Sequence, residues 1–147
     1  MRINRYTVKL VKEEGINYKL EDDVISPYTA WKVIERVFEL SSSPVEKLGI
    51  IALNTQNKIA GLHIIVVGGL NKAFVELRSI FQPALLNNAA SIILFHNHPS
   101  GSTKPSKEDI SLTGKLYEAG QLLGIQILDH IIVGEEGYIS LKDAGLF

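Results

Sequence analysis

The sequence predicts an α/β fold on a mixed β-sheet, from three observations. Apolar runs of strand length occur at 48–53, 59–67, 91–95 and 125–133. Between and before them lie segments whose apolar residues recur at helical spacing. Strands and helices alternate without strict βαβ regularity, so the sheet is expected to be mixed. At 147 residues the chain suits one domain with one core.

Residues 1–24 open with a short apolar alternation (Tyr6, Val8, Leu10), followed by a charged, Gly-containing stretch to Asp23. They read as an added strand or an arm, and residues 25–147 as the domain proper. A helix is expected from Ser26 as N-cap, with Pro27 at its first position, where a missing N–H costs nothing. Trp31, Ile34, Val37 and Phe38 give it a buried stripe, and the Ser-Ser-Ser-Pro run at 41–44 ends it. Leu48–Leu53 and Ile59–Val67, joined by Asn54–Asn57, form a hairpin signal. Gly68 and Gly69 close the second strand.

A second helix is expected from about Glu76 to Asn88, with Val75, Ile80, Leu85 and Leu86 buried and Pro83 kinking it or marking a late start. Ser91–Phe95 reads as a central strand covered on both faces. Residues 107–123 read as a helix with Leu112, Leu116, Ala119 and Leu123 on one face, ended by Gly124. Ile125–Val133 is the next strand, and Gly134–Gly137 turns it into Tyr138–Leu141.

Composition removes several function classes. Hydrophobic residues make up 46% and charged residues 21%, the balance of a folded chain rather than a disordered one. With no cysteine, disulfides, thiolate metal sites and cysteine nucleophiles are all excluded. A net charge of −1 gives no strong nucleic-acid signal. The apolar runs are too short to span a membrane, and the N-terminus has no apolar signal core. The expectation is a cytoplasmic protein without a membrane anchor. No feature of the pattern sets an oligomeric state.

The chemistry is concentrated in Phe95–Asp109. His96 and His98 sit where an apolar strand ends, two apart and so on one face. Gly101 and Pro105 let the chain double back, and Asp109 opens the next helix. Two imidazoles and a carboxylate suit a borderline metal such as zinc, with a fourth position left for water. Ser106 to Asp109 also fits a helix capping box, which is compatible with coordination.

The pattern His96-x-His98-Pro99, with Ser106 eight residues after the second His and Asp109 three further on, resembles the JAMM motif of the MPN/JAB metallopeptidases. The string His96–Gly101 with Pro105-Ser106 and Glu108–Ile110 is more similar to the RadC branch of that family. Arg78–Ala90, Leu123–Gly134 and Leu53–Asn57 read the same way, so the resemblance covers roughly residues 25–147. It implies a three-layer α/β/α fold similar to the cytidine deaminases. One zinc ion would be held by His96, His98 and Asp109, and the activity would be hydrolysis of an amide bond in an unidentified peptide or protein conjugate.

The resemblance also implies a glutamate base, which by register is Glu46, since Glu46–Gly49 resembles the family's Glu-x-x-Gly opening. Glu76 is the rival. Ser106 would donate to the oxyanion. Two departures stand out. RadC proteins usually carry His-Pro before the arginine matching Arg78, where this chain has Glu76-Leu77. Full-length relatives also carry an N-terminal helix-hairpin-helix region associated with DNA, which this chain is too short to contain.

Asn97 and Asp129 are expected as outer partners of the metal-binding imidazoles. His130 reads as a structural histidine in an apolar strand, with a role behind the metal ligands as the sharper option. His63 reads as half-buried and Arg78 as a helix-face arginine able to meet a substrate carboxylate. Two other classes stay open. A DNA-repair-associated or DNA-binding role follows from the RadC association, though there is no basic stripe. A non-catalytic interaction module could keep the fold and metal but lose the base. A nucleobase deaminase would need cysteines this chain lacks.

Overall fold

The computed structural model describes residues 1, 3–13, 15, 17, 23–24, 26–69 and 75–147. Residues 3–13 have no regular secondary structure and are exposed throughout. Much of the charged stretch that follows them lies outside the described residues. Helix α1 spans Pro27–Phe38. It begins as expected, because Ser26 Oγ accepts the Thr29 N–H while the Thr29 hydroxyl oxygen accepts the Ser26 N–H. Glu39, left-handed at φ 48°, ends it and leads into a 3-10 turn at Leu40–Ser42.

Strands β1 (Lys47–Leu53) and β2 (Ile59–Val67) form the hairpin. Helix α2 (Leu77–Leu86) follows, with Pro83 inside it rather than at its start. Strand β3 (Ser91–Asn97) is buried along its whole length. Helix α3 (Lys107–Leu123), strand β4 (Gln126–Gly134) and strand β5 (Gly137–Ser140) complete the domain. Sheet order is β2-β1-β3-β4-β5. Among the described strands, only β3 and β4 pair in parallel; the other neighbours are antiparallel. The sheet is therefore mixed.

Period-two alternation sends side chains to two separate cores. Ile51, Leu53, Ile93 and Phe95 pack with Ala30, Val33 and Ile34 of α1. Leu48, Ile50, Ile92 and Leu94 pack with Ile80, Phe81 and Ala84 of α2 and with Leu112 and Leu116 of α3. The result is an α/β/α sandwich with α1 on one face and α2 and α3 on the other. No described helix is long and apolar enough to cross a membrane.

Three buried positions were misassigned from spacing. Leu85 and Leu86 are exposed, because the buried stripe of α2 runs through Ile80, Phe81 and Ala84. Leu123 is exposed as well. The chain turns at Gly124, left-handed at φ 70°, and Ile125 fills that end of the core instead.

Candidate metal centre

His96 lies near the C-terminal end of the central strand, opposite Leu48 of β1 and Ile132 of β4, and is fully buried. Strand alternation places it on the same face as Ile92 and Leu94, beneath α2 and α3. His98 follows the strand's last residue, and its N–H donates to Val133 O at 3.0 Å. The turn after it is tied down twice. Gly101 N–H donates to His98 O at 2.9 Å, and Glu135 N–H donates to Gly101 O at 3.0 Å. Gly101 has φ 84°, a conformation that favours glycine. Gly134 lets the turn approach, since a Cβ there would lie 2.4 Å from Gly101 O.

Asp109 is the third residue of α3 and divides its carboxylate between two tasks. Its Oδ2 accepts the Ser106 N–H at 2.8 Å, while Ser106 Oγ accepts the Asp109 N–H at 3.1 Å. Its Oδ1 lies 3.2 Å from His96 Nε2, and Oδ2 lies 3.4 Å from His98 Nε2. The capping box and the candidate ligand are one side chain.

The two Nε2 atoms are 2.9 Å apart. His98 Nδ1 lies 2.9 Å from Ser102 O. A carbonyl only accepts, so the ring proton sits on Nδ1 and Nε2 of neutral His98 carries a lone pair. That lone pair and the Asp109 carboxylate point at one small volume, an arrangement that a cation relieves. Separations of 2.9–3.4 Å match the edges of a tetrahedron, about 3.3 Å for bonds near 2.0 Å. The donor set of two imidazoles and a buried carboxylate fits zinc.

Glu46 is half-buried. One of its carboxylate oxygens comes within 4.8 Å of a ring nitrogen of each of His96 and His98. Two carboxylates thus flank the imidazole pair. Asp109 is the fully buried one, which suits a ligand; Glu46 is more open, which suits proton exchange. Glu76, the rival, has its carboxylate engaged in an ion pair. It is exposed and gripped by Arg78, whose Nε and Nη2 donate to its two oxygens at 2.6 and 3.0 Å. That hydrogen bond and the adjacent charge lower the Glu76 pKa and raise that of Arg78.

The expected outer partners lie elsewhere. The described contacts of Asn97 reach the first residue of β1 and the segment before it rather than an imidazole. Its Oδ1 accepts the Lys47 N–H at 2.8 Å and its Nδ2 donates to Val45 O at 3.1 Å. Asp129 accepts from His130 N–H at 2.7 Å, Ser140 Oγ–H at 2.6 Å and Lys142 N–H at 3.2 Å. It therefore ties β4 to the end of β5, and burial raises its pKa. His63 meets Asn87 beside α2.

The group behind His96 is His130, whose Nε2 is 2.7 Å from His96 Nδ1. That contact is the geometry the sharper reading of His130 requires. Behind His130 stands Thr113, which sequence reasoning did not single out. The available signal was a polar side chain four residues after Asp109, beside Leu112 in the apolar stripe of α3.

The family model of the RadC-like JAB domain matches residues 26–146. A UPF0758 protein of Methanosarcina barkeri is 49% identical over 100 residues, covering 68% of this chain and 44% of that protein. A UPF0758 protein of Clostridium botulinum is 51% identical over 100 residues, with the same coverage. A UPF0758 protein of Bacillus pumilus is 37% identical over 142 residues, covering 97% of this chain and 55% of that protein. The chain spans about half the length of these curated relatives. With its α/β/α sandwich and its histidine pair at the end of the central strand, the chain belongs to the RadC family and carries the RadC-like JAB domain.

Proposed function

We propose that this domain is a zinc-dependent hydrolase of amide bonds, of the peptidase or isopeptidase kind, with His96, His98 and Asp109 as ligands. The observation that carries the reading is the convergence of His96 Nε2, His98 Nε2 and the Asp109 carboxylate within 2.9–3.4 Å, with the Glu46 carboxylate alongside. Zinc, when bound, brings the pKa of a coordinated water down to about 7 and polarises a carbonyl. Glu46 would take up a proton from that water and return it to the leaving amine, a role worth about 10²–10⁴-fold. The Ser106 Oγ already accepts from Asp109 N–H. Its own proton serves as donor to the developing oxyanion, a contact worth about 3 kcal/mol.

The test is a zinc-loaded full chain assayed against fluorogenic peptide and isopeptide-linked amides, beside Glu46→Gln. The expected result is turnover that falls at least about a hundredfold in the variant while zinc content is unchanged. Equal turnover in the two proteins would remove Glu46 from the mechanism. Zinc binding with no turnover of any substrate would favour a non-catalytic module.

A further inference from the structure

A chain of hydrogen bonds runs behind the candidate metal centre from one ligand to another. Thr113 Oγ1 donates to the backbone oxygen of Asp109 at 2.7 Å. The same Oγ1 lies 2.6 Å from His130 Nδ1, and His130 Nε2 lies 2.7 Å from His96 Nδ1. His96, Asp109, Thr113 and His130 are all 0% exposed, so bulk water does not reach the chain and its protons are shared among these groups.

The direction of the chain follows from counting protons. A threonine hydroxyl has one, and here it is directed at Asp109 O. Thr113 Oγ1 therefore acts toward His130 as an acceptor, and His130 carries its ring proton on Nδ1. The Nε2 of neutral His130 is then a lone pair that accepts from His96 Nδ1–H. With its proton held there, His96 presents an unprotonated Nε2 toward His98 and Asp109. Run in the opposite sense, the chain would place a proton on His96 Nε2, where a cation has to sit. The carbonyl four residues back in α3 opposes that state by engaging the Thr113 proton.

We infer that Thr113 and His130 are positioning residues that hold His96 in its metal-binding tautomer. The inference rests on the proposed role of His96 as a ligand, but it also makes a claim about the metal-free protein. Outer partners of metal-bound histidines typically contribute 10- to 100-fold in affinity.

Two readouts on the full chain test it. In metal-free wild type at about pH 8, where an ordinary imidazole is neutral, long-range ¹H–¹⁵N spectra are expected to show His96 protonated on Nδ1. Thr113→Val, nearly isosteric, is expected to give a mixture of the two tautomers and to weaken zinc binding 10- to 100-fold in a chelator competition. Thr113→Ser keeps the hydroxyl and is expected to restore both. A wild type protonated on His96 Nε2, or a folded Thr113→Val with unchanged tautomer and zinc affinity, would overturn the inference. The spectra need no metal. A protein that never binds zinc yet shows the expected tautomers would therefore refute the hydrolase reading alone.

Discussion

Asn97 Oδ1 accepts the backbone N–H of Lys47 at 2.8 Å, so the residue between the two candidate histidine ligands also holds the chain beside Glu46. Its Nδ2 donates to Val45 O on the other side of that glutamate, and Gly68 N–H donates to Glu46 O at 2.7 Å. The strand that presents the imidazoles thereby also places the proposed base. Asn97→Ala removes two of these three restraints. The predicted cost is about 1–2 kcal/mol in chemical denaturation, because the stranded backbone groups are close enough to solvent to recover partners. Zinc content should stay at wild-type level while any turnover falls.

Asp109 tests the double use of one carboxylate. In Asp109→Asn an amide oxygen can still accept the Ser106 N–H, so the capping box survives and metal-free stability should change by less than about 1 kcal/mol. An amide is a far poorer zinc ligand than a carboxylate. The variant should release zinc under dialysis conditions that leave wild type loaded. Unfolding of the metal-free variant well below the metal-free wild type would show the cap to depend on the charge as well.

The histidine turn depends on a close backbone approach. In Gly134→Ala the new Cβ would lie 2.4 Å from Gly101 O and 2.7 Å from Thr103 Cγ2. The predicted loss is about 1–3 kcal/mol of stability, with weaker zinc binding because the displaced turn carries His98. Gly114→Ala in α3 is the contrast. Nothing lies within 4 Å of a Cβ there, so helix propensity should raise stability by up to about 1 kcal/mol. Thermal unfolding of both variants checks the pair.

How much of this was legible in the sequence depended on the range of each signal. Ser26-Pro27 announced α1, Ser91–Phe95 announced the buried central strand, and Gly124 announced the end of α3, because caps and periodicity are local. The His-x-His pair and Asp109 were visible for the same reason, within one short segment. The true partners of Asn97 and the place of Thr113 were not, and His130 was open to two readings. Their contacts join residues 50, 34 and 17 positions apart; the pairing of β3 with β1 and β4 brings the first two pairs together, and the packing of α3 against β4 brings the third. Leu85 and Leu123 were misassigned because helical spacing leaves open which side faces the sheet at a helix's last turn.

His63 gives the fold a pH dependence apart from the metal centre. Burial lowers its pKa from the ordinary value of 6.5. Asn87 Nδ2, which also donates to Pro83 O at 2.7 Å, faces His63 Nε2. With the folded pKa below the unfolded one, the unfolded state binds more protons in the interval between them. The contribution is therefore fully present above about pH 6.5 and is lost as pH falls from there through the folded value. Denaturation midpoints of wild type across that interval should fall more steeply than those of His63→Asn.

The central claim is that three side chains from β3, its following turn and the first turn of α3 form one zinc site. The most direct measurement is the metal content of the purified full chain by mass spectrometry, before and after zinc is supplied and excess is removed. The account predicts one zinc per chain, absent from His98→Ala. A wild type that stays empty after zinc is supplied, or a His98→Ala variant that still holds one zinc, would contradict it.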